Sequence, residues 1–153
     1  MLNATHFTNL SLLLVDHALE AAERRKETWG TTPVEIRGKT KQKDVAQLYA
    51  EIDVLLAPSI WPESFGLVAR EAAACGCWVI ASDRGAIGEN LTAGENGFIV
   101  DVSTPSALQK ALMEIDANPE RFRTAPSDAP HLRPASQQAE QLADLYRALV
   151  ATQ

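Results

Sequence analysis

Apolar residues fall into short runs separated by stretches in which they recur every three or four positions. The runs Leu10 to Val15, Val34 to Ile36, Val54 to Ala57, Trp78 to Ala81 and Phe98 to Val102 predict strands. They are mostly continuous rather than alternating, as strands covered on both faces are. Between them, Ala18 to Thr28 is rich in Ala, Glu and Arg and predicts a helix. Val45, Leu48, Tyr49 and Ile52 form an i, i+3, i+4, i+7 stripe, and Leu67 to Cys75 is an Ala-rich helix that Gly76 closes. Thr104-Pro105 offers an N-cap and a first-turn proline for a helix to about Ala117. Residues 118–134, with four prolines in seventeen positions, predict an irregular connection, and 135–150 a final helix with Leu142, Leu145, Tyr146 and Leu149 on one side.

Strands alternating with helices predict an α/β fold: a Rossmann-like, doubly wound, mainly parallel sheet, whose ligands sit beyond the carboxyl ends of the strands. The 153 residues suffice for one domain, with a core that needs no disulfide or metal. No apolar run approaches the ~18 residues of a membrane span. The first residues lack the basic region and cleavage site of a signal peptide. Cys75 and Cys77 are too close in sequence to close a useful loop, so the expected compartment is the reducing cytoplasm.

A net charge of −6 and a pI near 5.0 exclude a surface built to neutralise nucleic-acid phosphates. An anionic ligand must then be held locally, by backbone N–H groups or a few placed cations. Gly38-Lys39-Thr40 ends like a phosphate-binding P-loop, but Pro33 stands where the first glycine is needed, and no G-x-G-x-x-G occurs. His6, His17 and His131 share no ligand spacing, and Cys75-x-Cys77 has no second pair, so no metal site is expected. Leu12 to Asp16 followed by Ile52 to Ala57 is similar to strands of a receiver domain, yet Ala57-Pro58 stands where the acceptor aspartate belongs.

One stretch carries chemistry: Pro58-Ser-Ile-Trp-Pro-Glu63-Ser-Phe-Gly66-Leu-Val-Ala-Arg-Glu71-Ala72, between a predicted strand and a predicted helix. Gly66 permits close backbone approach, and the free N–H groups of Phe65, Gly66 and Leu67 open a helix whose dipole favours phosphate. Glu63 and Glu71 flank that start with seven residues between them. Carboxylates are poor phosphate ligands and good acceptors for vicinal sugar hydroxyls. Spacing alone is equally compatible with two glutamates that merely favour the helix's positive end.

This stretch resembles the E-x7-E motif of the retaining GT-B enzymes in the "glycosyl transferases group 1" family. The resemblance continues through Cys75-Gly-Cys-Trp-Val-Ile-Ala-Ser82, Gly85-Ala-Ile-Gly-Glu89 and Gly94-Glu-Asn-Gly-Phe-Ile-Val100, and covers about residues 34 to 117. It implies that Glu63 contacts the donor sugar near the reacting carbon, the catalytic position. It implies that Glu71 holds the nucleotide ribose, and that Ser64, Phe65, Gly66 and Leu67 hold sugar and diphosphate through their amides. Gly38 and Lys39, after the preceding strand, are weaker candidates for the base-side loop, since Lys39, Lys41 and Lys43 also fit a solvated loop. Arg84 fits a surface ion pair.

The implied reaction is metal-independent transfer of a glycosyl group, with retention, from a nucleotide diphosphate-sugar to a hydroxyl acceptor. No cofactor is implied beyond that donor substrate. The resemblance is to the C-terminal, donor-binding lobe only, and Leu10 to Asp16 aligns with that lobe's second strand. The Arg and Lys that clamp the diphosphate from the first strand-helix unit have no counterpart: Arg24, Arg25 and Lys26 fall on the predicted helix. The expectation is a partial lobe, inactive alone, whose acceptor (a glycan, a lipid-linked glycan or a small molecule) is held by a missing N-terminal lobe. Its expected place is the cytoplasm or the inner face of a membrane, with no nucleic-acid partner. The alternatives are a GT-B sugar-nucleotide epimerase, against which the E-x7-E spacing argues, and a non-catalytic interaction domain of the same fold.

Overall fold

A computed structural model describes residues 2, 5–126 and 134–151. Six strands, β1 (Leu12–Val15), β2 (Arg24–Trp29), β3 (Thr32–Arg37), β4 (Val54–Ala57), β5 (Trp78–Ser82) and β6 (Gly97–Val100), form two three-stranded sheets of order β1-β3-β2 and β4-β5-β6. The helices are α1 (Val45–Ala50), α2 (Leu67–Ala74), α3 (Pro105–Ala117), α4 (Pro119–Arg123) and α5 (Ala135–Ala151).

The second sheet is parallel throughout, with Leu56 beside Ile80 and Ile80 beside Phe98. All five residues of β5 are buried. Side chains alternate across a strand, so the run Trp78-Val-Ile-Ala-Ser82 splits between two cores. Trp78 and Ile80 join Ala111, Leu112 and Ile115 of α3, Phe122 of α4 and Phe7. Val79 and Ala81 join Tyr49 of α1 and Ala69, Ala72 and Ala73 of α2. Helices on both faces are why Trp78 to Ala81 is apolar at every position. The Trp78 ring meets Phe122 edge-on at 4.9 Å, and its indole N–H donates to the Thr124 carbonyl at 2.9 Å. The aromatic pair adds about 1 kcal/mol to its apolar burial.

The first sheet is mixed, with β1 parallel and β2 antiparallel to β3. Here the predicted helix over Ala18 to Thr28 is replaced by turns and then the strand β2, with Arg24, Arg25 and Lys26 on it. The reason is local and tertiary together. Trp29 pairs with Thr32 across a two-residue loop whose first member, Gly30, has φ +65°, the geometry of a tight hairpin turn. That turn lays 24–29 along β3, and ladder hydrogen bonds override a helix propensity of a few tenths of a kcal/mol per residue.

Two boundaries also shift. Residues 118–134 are not wholly irregular, because α4 forms with Pro119 in its first turn and Phe122 anchored in the core; residues 127–133 lie outside the described ones. Thr104 occupies the N-cap of α3 with extended backbone, but its hydroxyl meets that of Ser106 at 2.9 Å instead of capping an N–H. Among the described residues, no helix is long and apolar enough to cross a membrane.

Candidate active site

The loop leaving β4 carries the motif to the start of α2, at the carboxyl edge of the second sheet, and neighbouring backbone fixes its shape. Glu63 pairs with Gly85 as an isolated parallel bridge, and its carbonyl accepts the Ala86 N–H at 2.7 Å. A Cβ on Gly85 would fall against the Glu63 carbonyl, so only glycine lets the two segments approach this closely. Gly66 is the N-cap of α2 with φ +67°, and a Cβ there would lie 2.7 Å from Ile87 Cα. The 85–88 turn thus presses the loop from below. Upstream, the Ser59 hydroxyl donates to the Trp61 carbonyl at 3.0 Å and accepts the Trp61 N–H at 3.3 Å.

With its backbone tied at Glu63 and Gly66, the loop leaves a row of donors unused. Among the described residues, the N–H groups of Ser64, Phe65, Gly66, Leu67 and Val68 have no hydrogen-bond partner. They surround the positive end of the α2 dipole, which is an anion-binding arrangement without any net positive charge. Glu63 is half-buried beside this row. Glu71 lies one turn inside α2, also half-buried, and accepts a hydrogen bond from the Tyr49 hydroxyl at 3.3 Å. That hydroxyl also lies 3.4 Å from the Val68 carbonyl. Burial first, and then the Glu71 charge, push Tyr49 up to about 12, so the phenol keeps its proton and holds the carboxylate in one orientation.

Glu63, Ser64, Phe65, Gly66, Leu67 and Glu71 therefore share one loop-helix junction, as their order in the chain requires. Gly38 and Lys39 lie in the loop after β3, a strand of the other sheet. A Cβ on Gly38 would fall against the Glu20 and Leu19 carbonyl groups, so only glycine fits there. Lys39 is exposed beside a hollow of ≈ 310 Å³ shared with Ala22, Arg24 and Lys41. Arg84 pairs with its neighbour Asp83 at 3.3 Å. A larger hollow of ≈ 480 Å³ lies on the outer face of the first sheet and contains no motif residue. Neither hollow is lined by Glu63, Ser64, Phe65, Gly66, Leu67 or Glu71. Among the described residues, no three His, Cys, Asp or Glu side chains cluster as metal ligands.

Sequence reasoning missed three parts of this site: Tyr49, the 85–87 turn and Arg70. Tyr49 sits on the α1 stripe and reads as core, which it also is. Arg70 donates through Nε to the Phe65 carbonyl at 2.9 Å and places its guanidinium 4.2 Å from the centre of the Phe65 ring. A lone arginine four residues after Gly66 in an otherwise Ala-rich helix was the available signal.

A sequence model of the family described as "Glycosyl transferases group 1" matches residues 3–129. The phosphatidyl-myo-inositol mannosyltransferase of Mycobacterium leprae is 30% identical over 149 residues, 95% of this chain and 40% of that protein. The structure of sucrose-phosphate synthase from Thermosynechococcus elongatus superposes with a TM-score of 0.68 at 34% identity, over 78% of this chain and 31% of that one. Anabaena HepE, solved in complex with UDP, superposes with a TM-score of 0.61 at 25% identity, over 75% of this chain and 32% of that one. The chain spans well under half the length of the curated relatives it matches.

Proposed function

This chain belongs to the glycosyl transferases group 1 family, and from that premise we propose that it is the donor-binding lobe of a retaining, metal-independent transferase. The donor is a nucleotide diphosphate-sugar, and the acceptor is a hydroxyl of a glycan, a lipid-linked glycan or a small molecule held by a second lobe. The observation that carries this reading is the row of unpartnered amides from Ser64 to Val68 between two half-buried carboxylates. Five backbone donors at a helix start match the oxygens of a diphosphate, and a carboxylate on either side matches a polyol.

In this reading each group has one task. Gly66 and Leu67 bind the diphosphate, and their N–H groups stabilise the charge that grows on the leaving group as the glycosidic bond lengthens. These dipoles are already oriented, so little reorganisation is needed when that charge develops. Glu71, steered by Tyr49, accepts hydrogen bonds from the ribose. Glu63 orients the sugar hydroxyls and sets the anomeric carbon toward the acceptor. Without a second lobe the acceptor hydroxyl is not positioned, so the lobe alone binds donor and does not turn over. Such an enzyme works in the cytoplasm or at the inner face of a membrane, where nucleotide sugars are made.

Ligand-observed NMR of this chain with UDP-, GDP- and ADP-sugars, beside Glu71→Ala, tests the proposal. UDP-sugars head the panel because a structural relative holds UDP. The expected result is selective binding of one base class, weakened at least tenfold in the variant. Equal binding by both proteins refutes the donor-site reading and favours a non-catalytic domain.

A further inference from the structure

We propose that Arg70 is a positioning residue that aims the diphosphate-binding amides, an inference that rests on the donor-lobe reading above. The Phe65–Gly66 peptide is planar and trans, so its carbonyl and its N–H point in opposite directions. Arg70 Nε–H holds the Phe65 carbonyl toward the side of α2, at 2.9 Å. The Gly66 N–H is thereby turned to the other side, where it has no partner among the described residues. Fixing one end of the peptide fixes where the donor at the other end points.

The rest of the guanidinium is committed too. Its Nη2 lies 3.6 Å from Glu89 Oε2, and the Asn90 amide, oriented with its oxygen toward Arg70, accepts from both Nη atoms. One face covers the Phe65 ring. Arg70 thus ties three segments: its own helix, the motif loop and the 85–91 turn whose Ala86 N–H holds the Glu63 carbonyl. With Nε and both Nη atoms engaged by protein acceptors, and its side chain only 20% exposed, it acts on a phosphate through the peptide and not by contact.

The test is 15N–1H NMR of the whole chain as wild type, Arg70→Met, Arg70→Lys and Arg70→Gln, titrated with UDP and with uridine. A glutamine Nε2 occupies the place of the arginine Nε and can donate to the Phe65 carbonyl without any charge. In ligand-free protein, Met and Lys displace the Gly66 and Leu67 amide resonances, and Gln restores them toward wild type. Affinity for UDP falls about tenfold in Met and Lys and recovers in Gln, while affinity for uridine is unchanged in all four. Should Arg70→Met fail to fold, the Lys and Gln pair decides alone. Unmoved Gly66 and Leu67 resonances in Lys overturn the proposal, as does full UDP affinity in Lys with loss in Gln, which assigns direct phosphate contact. If wild type binds neither UDP nor uridine, the donor-lobe reading fails on its own, and the ligand-free resonances still decide whether Arg70 orients the peptide.

Discussion

The two sheets of this chain are built from different kinds of strand, and only one of them carries the motif. In the second sheet, β5 is buried along its whole length between α1 and α2 on one face and α3 and α4 on the other. In the first, β3 alternates: Thr32, Val34 and Ile36 are buried, whereas Pro33 is exposed and Glu35 and Arg37 are half-buried. Five of the six residues of β2 are exposed. The outer face of that sheet is held by ion pairs, Arg37 meeting Glu35 at 2.6 Å and Glu51 at 2.5 Å, beside the larger hollow. The motif loop with its five unpaired amides stands beside this closely packed half of the molecule.

The sharpest break of this contrast is core truncation. Ile80→Ala, at a fully buried position of β5, is expected to lower unfolding free energy by about 3–5 kcal/mol, and Leu13→Ala, on the half-open β1, by about 1 kcal/mol. Urea denaturation measures both, and equal losses would show that the sheets are equally packed. Next comes Gly85→Ala, which forces a side chain against the Glu63 carbonyl at φ +69°. It should cost about 2–3 kcal/mol and abolish donor binding, whereas a substitution on the exposed β2, such as Lys26→Ala, should leave both unchanged.

Alkaline pH separates the halves by titration. Burial raises Tyr49 from 10.0 to about 12 and Cys77 from 9.0 to about 11, and both belong to the second-sheet core. Because the folded values are the higher ones, the unfolded chain gives up these protons first. Stability is therefore fully present below pH 9 and declines as pH rises through about 12, and Tyr49→Phe removes the upper part of that decline. Thermal melts from pH 8 to 12 follow it; an unchanged profile in the variant would show that Tyr49 titrates as in the unfolded chain. The smallest effect belongs to the open half. Arg37→Met should cost about 1 kcal/mol or less, because its partners Glu35 and Glu51 are open to solvent over a third or more of their side chains and such pairs are screened, and 1 M salt should shrink the difference further. A larger loss would mean that the outer face is more closed than its exposure indicates.

Legibility followed the same division. The strands Val54–Ala57 and Trp78–Ser82 were readable as continuous apolar runs, and the helices at 45, 67 and 105 from an apolar stripe, an Ala-rich stretch and a Thr-Pro start, signals that a short window contains. The expected helix over Ala18 to Thr28 failed where the window was highly charged and the deciding partner, β3, lay beyond a two-residue turn. At the candidate site, residues 63–67 and 71 were legible as one linear motif. Tyr49 and Arg70 were not, since what matters about them is the group each touches, and contacts across 22 and 5 positions leave no periodic trace.

By itself, the sequence determined the α/β order, the two-faced burial of the motif half and the loop-to-helix junction, because these depend on residue type and local spacing. Tertiary structure alone decided which way the donors of that junction point. The peptide from Phe65 to Gly66 is fixed by Arg70 on one side and by Ile87 beneath, two groups that close packing brings to it.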